Sequence, residues 1–285
     1  MKRLLSAVVV LIGITCLFLA GCDKIEGDFY QIVQNEDVTV PFPDINPNEV
    51  YRKVLVEEFT GHRCTNCPQG HQILNELHNR YGDTLVTVGI HYGSLAKPIG
   101  SMYSYDFRTE AGTKIGDWYN IDGIPAAIVN RQNVQGGWPR EQWASVIREL
   151  DRSNVSAAVQ LINEYDAASK TLKANVKVTT LKAIDHQLRI VLFVLEDGIV
   201  KPQKDGNQDI EDYVHNHVLR CALTDAFGYV LAKDSWNSGD SETYAASVSF
   251  DGHDWNPVNC QVVAALFDPN TSKVLQVEKA NVINR

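Results

Sequence analysis

The hydrophobic and polar positions divide the chain into three regions. Residues 4–17 form one apolar run behind the basic residues Lys2 and Arg3. In residues 51–152, short apolar runs alternate with segments whose apolar residues recur three and four apart, which predicts alternating strands and helices. In residues 153–285, apolar and polar residues mostly alternate, which predicts strands without intervening helices.

The middle region begins with a strand and a helix. Val54 to Phe59 is rich in strand-forming residues. A helical pattern follows Cys67, and Gly82 stands where this helix is expected to end. The apolar positions of the helix are Ile73, Leu74, Leu77 and Tyr81.

Three further elements are predicted in the middle region. Thr84 to His91 predicts a second strand, and a third strand begins at Pro125. Residues 94–120 form an insertion between them, in which we expect helices. A last helix starts at Pro139, with one apolar face. That face is formed by Trp143, Val146, Ile147 and Leu150.

The last region consists of short strands separated by turn signals such as Asp197-Gly198 and Asp251-Gly252. The strands are predicted at residues 159–162, 172–178, 188–195, 218–224, 245–250, 260–267 and 274–278. Many short strands without a helical period indicate an antiparallel β-sandwich of immunoglobulin-like size.

The length of 285 residues suits two domains. We predict an α/β domain over residues 51–152 and the β-sandwich over residues 153–285. Residues 22–50 carry three prolines among polar residues, which indicates a tether and linker with one strand, Asp37 to Val40.

The N-terminal run has the features of an export signal, because it is apolar, follows a basic start and is too short for a comfortable membrane span. Leu19-Ala20-Gly21-Cys22 follows and resembles a bacterial lipobox. This resemblance implies that residues 1–21 are removed and that Cys22 is acylated, and two or more acyl chains anchor a protein stably. The alternative is an ordinary secretory signal with a chance cysteine.

Export changes the interpretation of the 6 cysteines. Cys16 leaves with the signal and Cys22 is lipidated, and the remaining thiols enter a compartment that permits disulfides. Those thiols are Cys64, Cys67, Cys221 and Cys260. The net charge of −9 argues against nucleic acid and anionic lipid as partners, so we expect membrane contact through the lipid anchor only.

Cys64 and Cys67 stand where a strand meets a helix, and the N-terminus of a helix stabilises a thiolate at Cys64. Further along the chain, Gly123-Ile124-Pro125 precedes a strand. Together these segments resemble the thioredoxin superfamily over residues 51–152. The resemblance implies a cis bond before Pro125 beside the cysteines and an acid, Glu58, beneath them.

Three interpretations of this cysteine pair stay open. The first is thiol–disulfide exchange, in which Cys64 attacks and Cys67 resolves the mixed disulfide. The second is an inert structural disulfide. The third is a metal site that also uses His62 and His71, because Cys67 and His71 lie four apart on one helix face. The chain has Arg63 before the first cysteine, where the thioredoxin superfamily usually has tryptophan.

Other candidate residues lie outside this motif. Cys221 and Cys260 are either disulfide-bonded or two buried thiols, since the pairing of their strands is not known. His215 and His217 alternate on a predicted strand, which favours a polar sheet face over a ligand patch. His91, at a strand end, is positioned to approach the thiols or to be an ordinary strand-end histidine.

A closer resemblance covers nearly the whole mature chain. The lipobox, Val54–Pro68, Gly123–Ala126 and Tyr213–Arg220 occur in one order. Together they resemble the Bacteroidetes outer-membrane lipoprotein family named for a twenty-eight-kilodalton outer membrane protein. The resemblance implies a thioredoxin-like domain followed by a β-sandwich, lipid-anchored in the cell envelope at the outer membrane, without a settled reaction.

Two functional hypotheses follow. The first is an envelope thiol–disulfide oxidoreductase for exported thiol or disulfide proteins, with Cys64 as nucleophile and Cys67 as resolving thiol. Glu58 and Pro125 support this reaction, and we expect no organic cofactor. The second is a non-enzymatic surface binding or adhesion lipoprotein, in which the disulfide is inert and residues 153–285 bind a surface ligand.

Overall fold

The structure is a computed structural model that describes residues 30–150, called the first half below, and residues 152–283, called the second half. The predicted signal peptide (residues 1–21), the predicted lipidation site Cys22 and the first residues of the tether lie outside the described residues. Among the described residues, no helix has both the length and the apolar character needed to cross a membrane.

The first half mixes strands and helices, whereas the second half, over its described residues, contains strands and no helix. The first half contains β1 (Ile32–Gln34), β2 (Val54–Thr60), α1 (Cys67–Tyr81), β3 (Leu85–His91), α2 (Glu110–Trp118), β4 (Ala126–Val129), β5 (Trp138–Pro139) and α3 (Arg140–Glu149). The second half contains β6 (Ala157–Asp166), β7 (Thr171–Thr180), β8 (Arg189–Glu196), β9 (Ile199–Val200), β10 (Gln203–Asp205), β11 (Gln208–Ile210), β12 (Val214–His215), β13 (Val218–Ala222), β14 (Tyr229–Val230), β15 (Ser241–Ser249), β16 (Cys260–Asp268) and β17 (Lys273–Asn281). Short 3-10 turns lie at Pro47–Glu49, Gly82–Thr84 and Ser94–Ala96.

The unit β2–α1–β3 forms where the pattern predicts it. β2 and β3 are parallel, with Val54 opposite Leu85, and every residue of both strands is buried. Burial on both faces favours the continuous apolar runs seen in these strands. α1 ends at Gly82 as expected, with φ at 53°, a conformation that glycine adopts at little cost.

One sheet runs through both halves. Among the described residues it has nine strands in the order β17-β16-β8-β13-β3-β2-β4-β5, with β14 beside β8. The halves meet where β13 pairs in parallel with β3, and the N–H of Gly89 donates to the carbonyl oxygen of His217 over 2.7 Å. A Cβ atom at residue 89 would lie 3.2 Å from that oxygen, so glycine suits this junction. The predicted domain division at residues 152 and 153 stays a prediction, and the sheet continues across it.

A second sheet has the order β1-β15-β7-β6 and is antiparallel. Its apolar residues, such as Val176, pack against one face of β8 and β16 in a shared core. The opposite face of β8 and β16 packs with Phe59 on β2 and Ile115 on α2. Helices α1 and α3 cover the remaining face of β2 and β4, with Trp143 fully buried. The result is a mostly β, layered structure with mixed and antiparallel sheets.

A buried ion pair of the first half lies at the contact between the halves. Glu57 on β2 and Arg131 after β4 are both fully buried, and an Arg131 Nη atom lies 2.8 Å from Glu57 Oε1. The guanidinium of Arg131 also lies 5.8 Å from the ring centre of Phe193 on β8 and 5.5 Å from that of Phe267 on β16. This charged pair therefore lies against aromatic side chains of the second half.

Two local predictions are wrong in detail. Asp37 to Val40 is not a strand; instead Ile32–Gln34 forms β1, because its backbone pairs with the edge of β15 opposite Val248. The insertion over residues 94–120 holds one α-helix, α2, which starts after Thr109 caps the N–H of Gly112. The strands predicted in the second half are present, together with five short strands, β9–β12 and β14, that were not predicted.

Candidate functional site

Cys64 and Cys67 form a disulfide at the start of α1. Their Cα atoms are 5.5 Å apart, and the relative exposure is 2% for Cys64 and 0% for Cys67. β2 ends at Thr60, the following loop carries Cys64, and α1 begins with Cys67. Local structure alone therefore brings the two thiols within bonding range, at the positive end of a helix dipole.

Pro125 lies beside this disulfide. The Ile124–Pro125 peptide bond is cis, as the thioredoxin resemblance implied, and the carbonyl oxygen of Ile124 is 3.6 Å from Cys64 Sγ. A Cβ atom at Gly70 on α1 would lie 3.3 Å from the Cβ of Pro125. The structure thus brings Cys64, Pro125 and the first turns of α1 together.

Glu58 is buried on β2, beneath α1. Its Oε1 lies 3.4 Å from Nε2 of His71, and His71 is one helical turn after Cys67 on the same face of α1. Burial raises the pKa of Glu58 to about 8 and lowers the pKa of His71 to about 3, because desolvation disfavours the charged forms. At neutral pH the Glu58 carboxyl group is therefore protonated and the His71 imidazole is uncharged.

His71 also links the two halves. Its Nε2 lies 2.9 Å from Thr60 Oγ1, and its Nδ1 lies 2.6 Å from the hydroxyl of Tyr213, which immediately precedes β12. Burial raises the pKa of Tyr213 to about 12, so its hydroxyl keeps its proton at neutral pH. The second half therefore supplies a polar side chain to the surroundings of the disulfide.

A cavity of about 50 Å³ adjoins these residues. Glu58, Tyr213 and four histidines contribute to its lining; the histidines are His71, His91, His215 and His217. Neither ring nitrogen of His91 has a hydrogen-bond partner among the described residues, although the side chain is buried. The His91 ring stacks on Phe107 with centroids 4.3 Å apart and lies 5.6 Å from the His215 ring.

Three of these histidines, His71, His91 and His215, are uncharged at neutral pH. Burial lowers the pKa of His215 to about 4 and that of His62 to about 4, and it holds the pKa of His91 well below its usual range. Neighbouring imidazoles lower the pKa of His91 further, because two nearby positive charges would repel each other. His91, at the end of β3, belongs to this buried group.

The prediction of a polar sheet face at His215 and His217 is wrong. β12 ends at His215, and the chain turns at His217, where φ is 58°. His215 is buried against Phe107 at 4.7 Å between ring centroids. His217 lies instead beside His78, with ring centroids 5.1 Å apart. A turn between the two residues, which alternation did not reveal, accounts for the difference.

The residues of the metal alternative have other contacts. Cys64 and Cys67 bind each other, His62 stacks on Tyr103 at 5.3 Å, and His71 bonds to the side chains named above. Within residues 30–150 and 152–283, no group of three or more histidines, cysteines or acids is arranged to hold a metal ion.

Cys221 and Cys260 are two buried thiols, so of the two alternatives from the sequence the disulfide is not formed. Cys221 pairs with Val194 on one side of β8, and Cys260 pairs with Glu196 on the other side. Adjacent strands lie about 4.8 Å apart, so a whole strand separates the thiols and their Cα atoms are farther apart than the ~7 Å limit for a disulfide. Burial raises the pKa of Cys260.

The hairpin β10–β11 contacts the disulfide loop, which the sequence analysis missed. The N–H of Lys204 donates to the carbonyl of His62 over 2.8 Å, and the N–H of Gly206 donates to that of Thr65 over 2.9 Å. The side chain of Gln203 donates to the carbonyl of Cys64 over 3.0 Å. The turn at Gly206 is visible in the sequence, but nothing there indicates which distant loop it reaches.

The family of the chain follows from its second part. A family model described as outer membrane protein Omp28 matches residues 113–285, which is more than half of the chain. The chain belongs to the Omp28 family. This confirms the resemblance found in the sequence and supports a location in the outer membrane or cell envelope. The match begins after Cys64 and Cys67, so Omp28 membership does not rest on the disulfide.

The chain is similar to solved structures, and one of them shares its fold. HBP35 of Porphyromonas gingivalis superposes with a TM-score of 0.63 at 17% sequence identity, covering 81% of this Omp28-family chain and 76% of HBP35. At this identity the likeness establishes a shared fold. A domain of the outer membrane lipoprotein Omp28 from Porphyromonas gingivalis has 20% identity and a TM-score of 0.31, covering 47% of this chain and 93% of that domain. No curated protein matches the sequence.

Proposed function

We propose that this Omp28-family chain is an envelope lipoprotein that exchanges thiols and disulfides with exported proteins. In this proposal residues 51–152 are a thioredoxin-like domain and residues 153–285 an immunoglobulin-like β-sandwich. Cys22 carries the lipid anchor in the outer membrane. The observation that supports the reaction most strongly is the Cys64–Cys67 disulfide at the start of α1, one helical turn from the Glu58–His71 pair.

The reaction proceeds in two displacements. In the reduced protein, the Cys64 thiolate attacks a substrate disulfide, a mixed disulfide forms, and one substrate sulfur leaves as a thiolate that takes a proton from water. Cys67 gives its proton to the carboxylate form of Glu58 and attacks Cys64 Sγ, which releases the second substrate sulfur. Two electrons pass from the cysteine pair to the substrate, and the reverse sequence oxidises a substrate dithiol.

Glu58 suits the second displacement because its raised pKa of about 8 is close to that of a thiol. A carboxylate with an ordinary pKa would be a much weaker proton acceptor for Cys67. His71, which is bonded to Tyr213, lies 3.4 Å from Glu58 Oε1 in a buried site, and this arrangement supports a buried proton carrier.

Trapping the mixed disulfide tests the proposal. The Cys67→Ala variant should accumulate disulfide-linked exported proteins through Cys64, because the resolving thiol is absent. The Cys64→Ala variant should trap none and serves as the matched control. Equal recovery of linked proteins from both variants, or none from either, would contradict exchange by Cys64.

A second candidate function, ligand binding, is favoured by a cavity of about 360 Å³, a size typical of small-molecule sites, between residues 104–109 and the Omp28-matched part. Its lining includes Tyr105, Arg220 and Trp255. Thermal shift measurements with a panel of monosaccharides and amino acids test this candidate. A shift that Tyr105→Ala removes and the exposed-site control Tyr51→Ala retains would support binding; no shift with any compound would count against it.

A further inference from the structure

Cys64 is fixed by the backbone of its own loop and by a side chain from the second half. Its N–H donates to the carbonyl of Gly61 over 2.9 Å, and its carbonyl accepts from Gln203 Nε2 over 3.0 Å. The N–H of Arg63 donates to the carbonyl of Leu95 over 3.1 Å. The orientation of Cys64 relative to the N-terminus of α1 therefore depends on contacts outside the Cys-x-x-Cys segment.

Gln203 is fully buried and its amide group is directed at the disulfide loop. Nε2 lies 3.3 Å from the carbonyl oxygen of Gly61 and 2.9 Å from that of Lys204, in addition to its bond to Cys64. The side-chain oxygen of Gln203 is buried and has no hydrogen-bond partner among the described residues. Burying a polar atom without a hydrogen-bond partner costs stability. The hydrogen bonds that Gln203 Nε2 makes to the loop must offset this cost.

The rest of the hairpin β10–β11 strengthens the same contact. The backbone bonds from Lys204 and Gly206 to the loop flank the bond from Gln203. Lys204 Nζ also pairs with Asp209 over 2.9 Å, and Asp209 accepts from the hydroxyl of Tyr103 in the first half over 2.6 Å. The hairpin is thus attached both to the disulfide loop and to the segment beside it.

We propose that Gln203 is a positioning residue for Cys64 and that the hairpin β10–β11 forms one wall of the redox site. The inference builds on the proposed thiol–disulfide exchange and names a residue of the second half that sets the reactivity of Cys64. Gln203 holds the Cys64 carbonyl away from the thiol and keeps Cys64 at the helix N-terminus, where its thiolate is stabilised. The second half is then part of the redox site rather than a separate attachment.

The test measures Cys64 reactivity in the reduced, full-length mature protein. The rate of Cys64 alkylation by iodoacetamide is followed by mass spectrometry from pH 5 to pH 9, which yields the apparent pKa of Cys64. The variants are Gln203→Glu, which places an ionisable carboxyl group against the Cys64 carbonyl, and Gln203→Met, which removes the N–H donors. Gln208→Glu adds the same charge at an exposed position of the same hairpin and is the matched control.

The expected results differ in direction between the variants. Gln203→Glu slows alkylation of Cys64 severalfold near pH 8 to 9, where a buried carboxyl group such as that of Glu58 ionises, because the like charge then disfavours the thiolate. Gln203→Met loosens the loop and accelerates reduction of the disulfide by dithiothreitol severalfold. Gln208→Glu stays within about twofold of wild type in both rates, since an exposed charge is screened.

Folded Gln203 variants with wild-type alkylation and reduction rates would overturn the proposal. If a variant fails to fold, hydrogen exchange of the wild-type protein decides instead. The amides of Lys204 and Gly206 should then be protected in the oxidised protein, and free exchange at both would show that the hairpin does not bind the loop. These assays use small reagents and need no exported protein. They can therefore support the role of Gln203 even if Cys64 exchanges with no exported protein, and they can refute that role even if Cys64 does exchange.

Discussion

The two cysteine pairs of this chain lie in different halves of the molecule and are held in different ways. Cys64 and Cys67 are three residues apart and form a disulfide where β2 leads into α1. Cys221 and Cys260 lie in two strands on opposite sides of β8 and remain thiols. Both pairs belong to one folded chain, so geometry decides which pair bonds.

Their surroundings differ as well. The disulfide lies in a loop above a buried group of ionisable side chains, among them Glu58 and His71. Cys221 and Cys260 lie in the middle of the large sheet, within the apolar core that it shares with the second sheet. A loop can open locally at low cost, whereas a central strand opens at a cost close to that of global unfolding.

The largest expected effect is a difference in thiol reactivity. After mild reduction, we expect Cys64 to react with iodoacetamide at least about a thousandfold faster than Cys221 or Cys260, because a core strand opens only at a cost of about 5 kcal/mol or more. Mass spectrometry of the alkylated peptides measures the rates. In guanidinium chloride all the thiols should react alike, and rapid native labelling of Cys221 would contradict the comparison.

A smaller but substantial effect is expected at the contact between the halves. Glu57→Gln leaves the Arg131 charge buried without its partner, so we expect the free energy of unfolding to fall by about 3–5 kcal/mol. Urea unfolding of this variant measures the change. The exposed pair Arg140–Glu141 provides the control, since Glu141→Gln should cost less than about 0.5 kcal/mol. Equal losses in the two variants would show that burial does not make the loss of this partner costly.

The smallest expected effect is a pH dependence centred on the first cysteine pair. The pKa of Glu58 is about 8 in the folded protein against an ordinary value of 4.5. The folded state therefore binds more protons than the unfolded state between these pH values, and this contribution to stability is present below pH 4.5 and is lost as the pH rises through 8. Glu58→Gln should remove this loss. The stability of this variant relative to that of wild type should therefore increase from pH 5 to pH 8.

The buried histidines act in the opposite direction. Their folded-state pKa values, about 3 for His71 and about 4 for His215, lie below the ordinary value of 6.5. Stability from these groups is complete above pH 6.5 and is lost as the pH falls through the folded values. Urea midpoints of wild type and His215→Asn between pH 7 and pH 4 measure this loss. A variant that remains as acid-sensitive as wild type would exclude His215 as a cause.

Sequence reasoning succeeded where local spacing determines structure. The strand before Cys64, the helix from Cys67 to Gly82 and the apolar face around Trp143 follow from patterns within about fifteen residues, and the structure contains them. The disulfide belongs to the same class, because a Cys-x-x-Cys at a helix start needs no distant contact to close.

Sequence reasoning failed where contacts connect distant parts of the chain. Gln203 and Cys64 are 139 residues apart, and no pattern in the sequence indicates that they meet. The pairing of Cys221 and Cys260 with opposite sides of β8 depends on strand order, which alternation of apolar residues does not determine. The continuation of one sheet from β3 into β13 was missed for the same reason.

The reduction potential of the Cys64–Cys67 pair in the lipid-free mature protein tests the central claim most directly. Glutathione equilibration followed by thiol alkylation measures it. The account predicts a value between about −120 and −270 mV, the span of proteins that exchange disulfides, and loss of exchange in Cys64→Ala. A value below about −300 mV, or a pair that never equilibrates, would contradict the account and identify a structural disulfide.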